Sequence, residues 1–194
     1  MMVRIVLIMV GLMLTGTAVA AELPSDVPVL SPDELKDYKF NRDQEQETPT
    51  VEELSVGQKY VLDAQRREIK DLIATKLGVM ELKGDKRDLD TIQKMVDRNV
   101  LRDDQVKQWQ SLGVIFGDVL AKEMDLHWVS YTDKQGTSKA LQWRDSMNFV
   151  FPVTVFSKRV AFGVDIDIHE IYDKIRKDVG KFSDVEKAGA RTKS

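Results

Sequence analysis

The stretch that decides the fold is Val106–Thr132, VKQWQSLGVIFGDVLAKEMDLHWVSYT. Its first part predicts an amphipathic helix, because Trp109, Leu112, Gly113, Phe116, Val119 and Leu120 recur at helical spacing on one apolar stripe. Gly113 and Gly117 stand one turn apart on it and leave a strip without side chains. Two interior glycines cost a helix roughly 1 kcal/mol each relative to alanine. The compensation expected is close approach by another backbone, here tight packing on a sheet. Directly after the helix, His127-Trp128-Val129-Ser130-Tyr131-Thr132 alternates and is rich in β-formers, which predicts a strand. Helix and strand together form the centre of a small α+β domain.

Working outward toward the N-terminus, Thr50 with Glu53 three residues on is a capping-box pattern and predicts a helix from Thr50 to Leu77, stopped at Gly78. Its buried stripe is Leu54, Val61, Leu62, Ile69, Leu72, Ile73 and Leu77. A loop at Gly84-Asp85-Lys86 and a short helix from about Arg87 to Asp97 come next, with the central helix from about Asp103 to Met124. On the other side, the turn-rich Asp133–Thr137 joins the strand to Ala140–Trp143 as a hairpin. Asn148–Phe151 predicts a third strand, ended by Pro152, which suits the first position of a short helix through Val160. Ile168, Ile171, Tyr172, Ile175 and Val179 make a last helical stripe, closed by Gly180 and followed by a polar tail. The predicted architecture is N-terminal helices packed on an antiparallel sheet of about three strands, then C-terminal helices, within one domain spanning 50–180.

Four stretches, DLDTIQKMVD (88–97), SLGVIFGDVL (111–120), WVSYTDKQGTSKAL (128–141) and FPVTVFSKRV (151–160), resemble a bacterial family known only as domain of unknown function 3806. The glycine helix followed by Trp-Val and the Phe-Pro…Ser-Lys-Arg-Val segment are the more specific of these. The resemblance implies a shared fold; it carries no activity and no site residues to this chain.

The first twenty residues bear on compartment. Arg4 is a short positive start, Ile5–Leu14 is uninterrupted and apolar, and Ala18-Val19-Ala20 fits a cleavage site. The expectation is a signal peptide cut after Ala20, since the apolar core is shorter than the ~20 residues a membrane span needs. Residues 21–49 hold four of the five prolines, Pro24, Pro28, Pro32 and Pro49, and read as an extended leader. Ser31 in it could cap one helical turn begun by Pro32. The chain has no cysteine, which closes disulfides, thiol catalysis, thiolate metal sites and lipoprotein anchoring. A formal charge of −3 lacks the basic footprint of a nucleic-acid binder. Periplasmic or secreted localisation, with no membrane span after cleavage, is the expectation.

Candidate chemistry is sparse. Asp165, Asp167 and His169 would share one side of a strand and could ligate a metal. Against this, Asp167 makes a good N-cap for a helix from Ile168, with Glu170 suited to the dipole. His127 could serve as acid or base, or sit as a structural residue beside Trp128. Ser157-Lys158 lacks nucleophile-pair geometry, because adjacent helical residues diverge. Asp85, Asp88 and Asp90 lack the glycine and glutamate of a calcium loop and read as a solvated linker. Trp109 and Trp128 are expected in the core, while Trp143, near the hairpin's open end, is the candidate binding residue together with His127. No phosphate loop, nucleophile elbow or zinc helix is present, and no cofactor is implied. The expectation is an exported, non-enzymatic protein that binds a periplasmic partner, as an inhibitor, immunity-type or accessory factor. The alternatives are an envelope hydrolase using the Asp165/Asp167/His169 set and a structural or stress-related envelope protein.

Overall fold

The computed structural model describes residues 48–191. The predicted export signal, the leader as far as Glu47 and the last three residues lie outside the described residues. The first described element corrects the sequence reading. Thr50–Glu53 is a strand, β1, and the helix behind it, α1, spans Val56–Leu77. The pattern Ser/Thr-x-x-Glu/Gln occurs twice here, and the second copy is the one that caps. The Ser55 hydroxyl accepts from the Gln58 N–H at 3.2 Å, and the Ser55 N–H donates to Gln58 Oε1 at 2.8 Å. Residues 50–53 are then available to pair with the sheet. Val61, placed in the predicted stripe, is exposed, and the buried side chains of α1 are Leu62, Ile69 and Ile73. Gly78 ends the helix at φ 72°, its N–H donating to the Ala74 carbonyl.

A 3-10 turn at Lys86–Asp88 leads into α2, Leu89–Asp97, and a tight turn at Arg102–Gln105 into α3, Val106–Met124. In α3 ten consecutive-face and glycine positions are buried, among them Trp109, Leu112, Gly113, Phe116, Gly117 and Leu120. Asp125, in the left-handed region at φ 54°, turns the chain directly into β2, Leu126–Asp133. β3, Gly136–Trp143, pairs with β2 from Asp133↔Gly136 to Leu126↔Trp143. β4 is Phe149–Val150. A 3-10 turn at Pro152–Thr154 opens α4, Val155–Ala161, and α5 spans Ile168–Arg191.

Among the described residues the fold is thus α+β, with five α-helices and a four-stranded antiparallel sheet in the order β1-β2-β3-β4. The sheet has four strands rather than about three because β1 was hidden under the false capping box, and helices both precede and follow the hairpin. Gly180 does not close α5. The apolar stripe continues to Phe182, whose ring lies 6.1 Å from that of Trp143. That contact gives the next helical turn something to pack on.

The register separates two sheet faces, because side chains alternate along each strand. Leu126, Trp128, Leu141, Trp143 and Val150 share one face and join the helical core around Leu112, Phe116, Leu120, Phe156 and Ile168. The glycine strip of α3 meets this face at its border. A Cβ on Gly113 would stand 2.5 Å from the Pro152 carbonyl oxygen and 2.7 Å from that of Val153. One on Gly117 would stand 2.5 Å from the Trp128 ring and 2.8 Å from Pro152 Cγ. The backbone that approaches α3 is therefore the 3-10 turn after β4, and the sheet contributes one indole ring.

Candidate functional site

The second sheet face carries Val51, His127, Val129, Tyr131, Ser138, Ala140, Gln142 and Phe149. Tyr131 lies at its centre. Its ring meets Phe149 edge-on at 4.9 Å between centroids and Phe151 at 5.2 Å. Both are favourable aromatic geometries. Ala140 lies between Ser138, the partner of Tyr131, and Gln142, the partner of Phe149. Ala140 and Val129 are 0% and 4% exposed. Yet neither they nor the three rings belong to the helical core among the described residues. Phe151 remains 41% exposed. At the hairpin-turn end of this face Tyr131, Phe151, Ser138, Thr154, Asp133 and Lys158 line a cleft of about 300 Å³, together with Gln135. Aromatic surface beside one cation and one carboxylate makes an anchor site with polar selectivity.

Trp143, the expected binding residue, is buried, 6% exposed, on the helical face. It packs on Phe182, and the Arg144 guanidinium lies 4.6 Å above its ring. Of these aromatic side chains it is Phe151, 41% exposed, rather than Trp143 that reaches the surface. His127 is exposed on the same face as Tyr131, opposite Gln142. Trp109 and Trp128 each satisfy their indole N–H, Trp109 on the Arg102 carbonyl at 3.0 Å and Trp128 on Asp118 Oδ1 at 3.0 Å. Pro152 is buried against the glycine strip.

Asp165 and Asp167 share a cleft, and His169 stands apart from them. Asp167 caps α5, accepting from the Glu170 N–H at 2.9 Å. His169 Nε2 lies 2.9 Å from Asp90 on α2. Asp165 and Asp167 line a separate cleft of about 160 Å³ with Arg159, Glu170 and Lys174. Among the described residues no three His, Asp or Glu side chains are grouped to hold a metal ion. Ser157, Lys158 and Arg159 diverge as helical neighbours do. Ser157 is buried, Lys158 lines the aromatic cleft, and Arg159 lines the acidic one.

The loop read as solvated is a buried polar knot. Asp88 is 4% exposed and accepts the N–H groups of Lys83 and Gly84 at 3.0 and 2.6 Å. Asp85 accepts twice from the Arg87 side chain, at 2.8 and 2.6 Å, and once from Lys122. The Arg87 guanidinium holds the Asp85 carboxyl well below the usual carboxylate range. A second polar tie joins α1, α3 and β2. Arg66 grips Asp118 with two hydrogen bonds of 2.8 and 2.7 Å, and Asp118 also accepts from Trp128. That bidentate contact raises the guanidinium pKa. These groups fasten elements to one another, and Asp88 and Asp118 also line a cleft of about 210 Å³ with Lys70 and Ile115.

A family model described as a domain of unknown function (DUF3806) matches residues 88–172, the region that contains α2 to the first turns of α5 and all three rings of the aromatic cluster. Comparison with curated proteins finds no match. A crystal structure from Bacteroides thetaiotaomicron VPI-5482 is similar, with a TM-score of 0.61 at 16% identity, over 69% of this chain and 49% of that one. This chain therefore spans about half the length of that protein. At such identity the likeness extends to the fold alone. No helix among the described residues is long and apolar enough to cross a membrane.

Proposed function

We propose, for a chain whose residues 88–172 carry the DUF3806 domain, an exported, non-enzymatic protein that captures another protein in the bacterial periplasm. The docking surface is the sheet face opposite the helical core, with Tyr131 and Phe151 as anchors and Lys158 and Asp133 at the rim. The observation that carries this reading is the Tyr131–Phe149–Phe151 cluster, gathered on the face that the helical core leaves aside. Aromatic anchors over a well-packed floor are the usual centre of a protein interface. The Arg4, Ile5–Leu14 and Ala18-Val19-Ala20 pattern supports export, and the cysteine-free composition suits a domain that needs no oxidising partner to fold.

The test is affinity capture from the envelope with the full chain expressed under its own first twenty residues, followed by mass spectrometry. One stoichiometric protein is expected for the natural chain and at least about tenfold less of it for Phe151→Ser, as for a hot-spot anchor worth more than about 1.4 kcal/mol. Undiminished capture by Phe151→Ser and by Tyr131→Ser alike would overturn the reading.

A further inference from the structure

We infer that the outer edge of β1 takes up an extended, basic segment of the partner protein as an added strand, with two successive cations over Glu53 and Glu52. The inference rests on the reading of this chain as one that captures another protein, and it names what that protein brings. The sheet ends on β1 at one side and on β4 at the other. β4 has two residues and runs at once into Phe151 and the buried Pro152, which has no N–H to give. β1 has four, Thr50–Glu53, or about 14 Å of strand. Among the described residues it pairs only with β2. In an antiparallel ladder alternate residues turn their N–H and C=O groups toward the neighbour, so half of those on β1 face outward. The helix that follows leans the other way. Gln58 Nε2 donates to Ser130 Oγ on β2 at 2.9 Å, and Leu54 packs with Leu62 and Val114. Thr50, Glu52 and Glu53 stay exposed.

Backbone groups supply the grip, and charge selects the occupant. Side chains alternate, so Glu53 joins Val51 on the face of Tyr131 while Glu52 points to the other face. Val129 and Ser130, their partners across the register, carry no charge, so the strand beside them neutralises neither carboxylate. A second copy of β1 on this edge would gather the glutamates of both copies into one short ladder, and like charges across a ladder destabilise it. Glutamates on the edge therefore keep identical chains apart, as charged edge residues do, and favour a strand of opposite charge. The sheet is antiparallel throughout, the more stable pairing, and the added strand continues it. From its N-terminus that strand meets Glu53, Glu52, Val51 and Thr50 in turn, so the complementary order is basic, basic, apolar, polar. Its apolar residue, opposite Val51, and its first cation, opposite Glu53, both fall on the face of Tyr131. The added strand thus widens the docking face by one row.

The probe is an end-blocked peptide with Lys-Lys-Val-Thr at its centre, titrated into the full chain by calorimetry beside a Glu-Glu-Val-Thr control. The natural chain should bind the lysine peptide at least about tenfold more tightly than the control, and Glu52→Lys with Glu53→Lys should invert that preference. Both positions are exposed, so the variant keeps its fold. Strand addition has a second signature. Of two peptides N-methylated at alternate central residues, only the one whose methyls face β1 should lose affinity, at least about tenfold, because only alternate N–H groups reach the edge. A lysine peptide that does not bind, or two methylated forms that bind alike, would overturn the inference. Dimerisation of the natural chain that the peptide competes away would overturn it too, by assigning the edge to a second copy. The docking-face reading fails separately. Capture that depends on Phe151 and is indifferent to Glu52→Lys with Glu53→Lys sinks the edge alone. Selective peptide binding beside capture indifferent to Phe151 and Tyr131 sinks the aromatic anchors alone.

Discussion

The two faces of the sheet are built from the same strands and packed differently. On one, Leu126, Trp128, Leu141 and Trp143 are sealed by helices, and the seal is close enough that α3 carries glycine at its two tightest points. On the other, Tyr131, Phe149 and Phe151 gather outside the helical core, beside Thr154 and Lys158, and one ring stays substantially exposed. Large apolar groups that no core claims signal recognition more reliably than the same groups inside it. Substitutions on the first face should therefore register as stability and those on the second as binding.

The strongest break falls at the glycine strip. Gly113→Val places two methyl groups where a single Cβ already stands 2.5 Å from a carbonyl oxygen of the Pro152–Val153 backbone. Backbone cannot move aside as a side-chain tip can, so a loss of 3 kcal/mol or more is expected, toward the upper end of about 1–3 kcal/mol for core overpacking and beyond. Gly113→Ala should still lose about 1–2 kcal/mol despite its better helix propensity. Urea midpoints check both, and an unchanged midpoint would show that α3 is not held against the turn.

Next comes the tie across α1, α3 and β2. Asp118→Ala leaves the Arg66 fork and the Trp128 N–H without their acceptor. Both partners retain some solvent access, so a loss of about 1–2 kcal/mol is expected rather than the larger cost of a buried orphan charge. Arg66→Met together with Asp118→Ala should lose less than the two single changes added, as in any cycle of coupled residues.

A smaller effect concerns acid. Asp85 has its pKa depressed on folding by the Arg87 hydrogen bonds, so its contribution is fully present above the unfolded-state value of about 4. It is lost as pH falls through the lower folded-state value. Unfolding midpoints measured downward from pH 6 should decline below about pH 4, and Asp85→Asn should flatten that decline. An equally steep decline in the variant would place the acid sensitivity elsewhere.

Much of the packed face could be read from residues alone. The helical spacing of Trp109 to Leu120 located α3, the β-rich alternation located β2, and Asp167 with Glu170 announced the start of α5. What escaped the sequence depended on pairing at a distance. Thr50–Glu53 matches a cap locally and becomes a strand only because β2 offers an edge. Gly180 looks like a stop until Phe182 finds Trp143. Asp85 and Asp88 look solvated because their acceptor roles are filled by backbone and by Lys122 on another helix. The aromatic face did leave a signal, since Tyr131 alternates with Trp128 and Ser130, and Phe149 and Phe151 stand two apart. Tryptophan's enrichment at interfaces points instead to Trp143, which packing on Phe182 buries.

The most direct test of the contrast measures stability and partner capture side by side in Gly113→Ala and Phe151→Ser. The account predicts a lowered urea midpoint with capture retained for Gly113→Ala below its transition. For Phe151→Ser it predicts a loss of no more than about 1.5 kcal/mol, the value of its edge-on contact with Tyr131, with capture lost at least about tenfold. A Phe151→Ser chain that unfolds early and captures normally would contradict it, for then the second face would be core like the first.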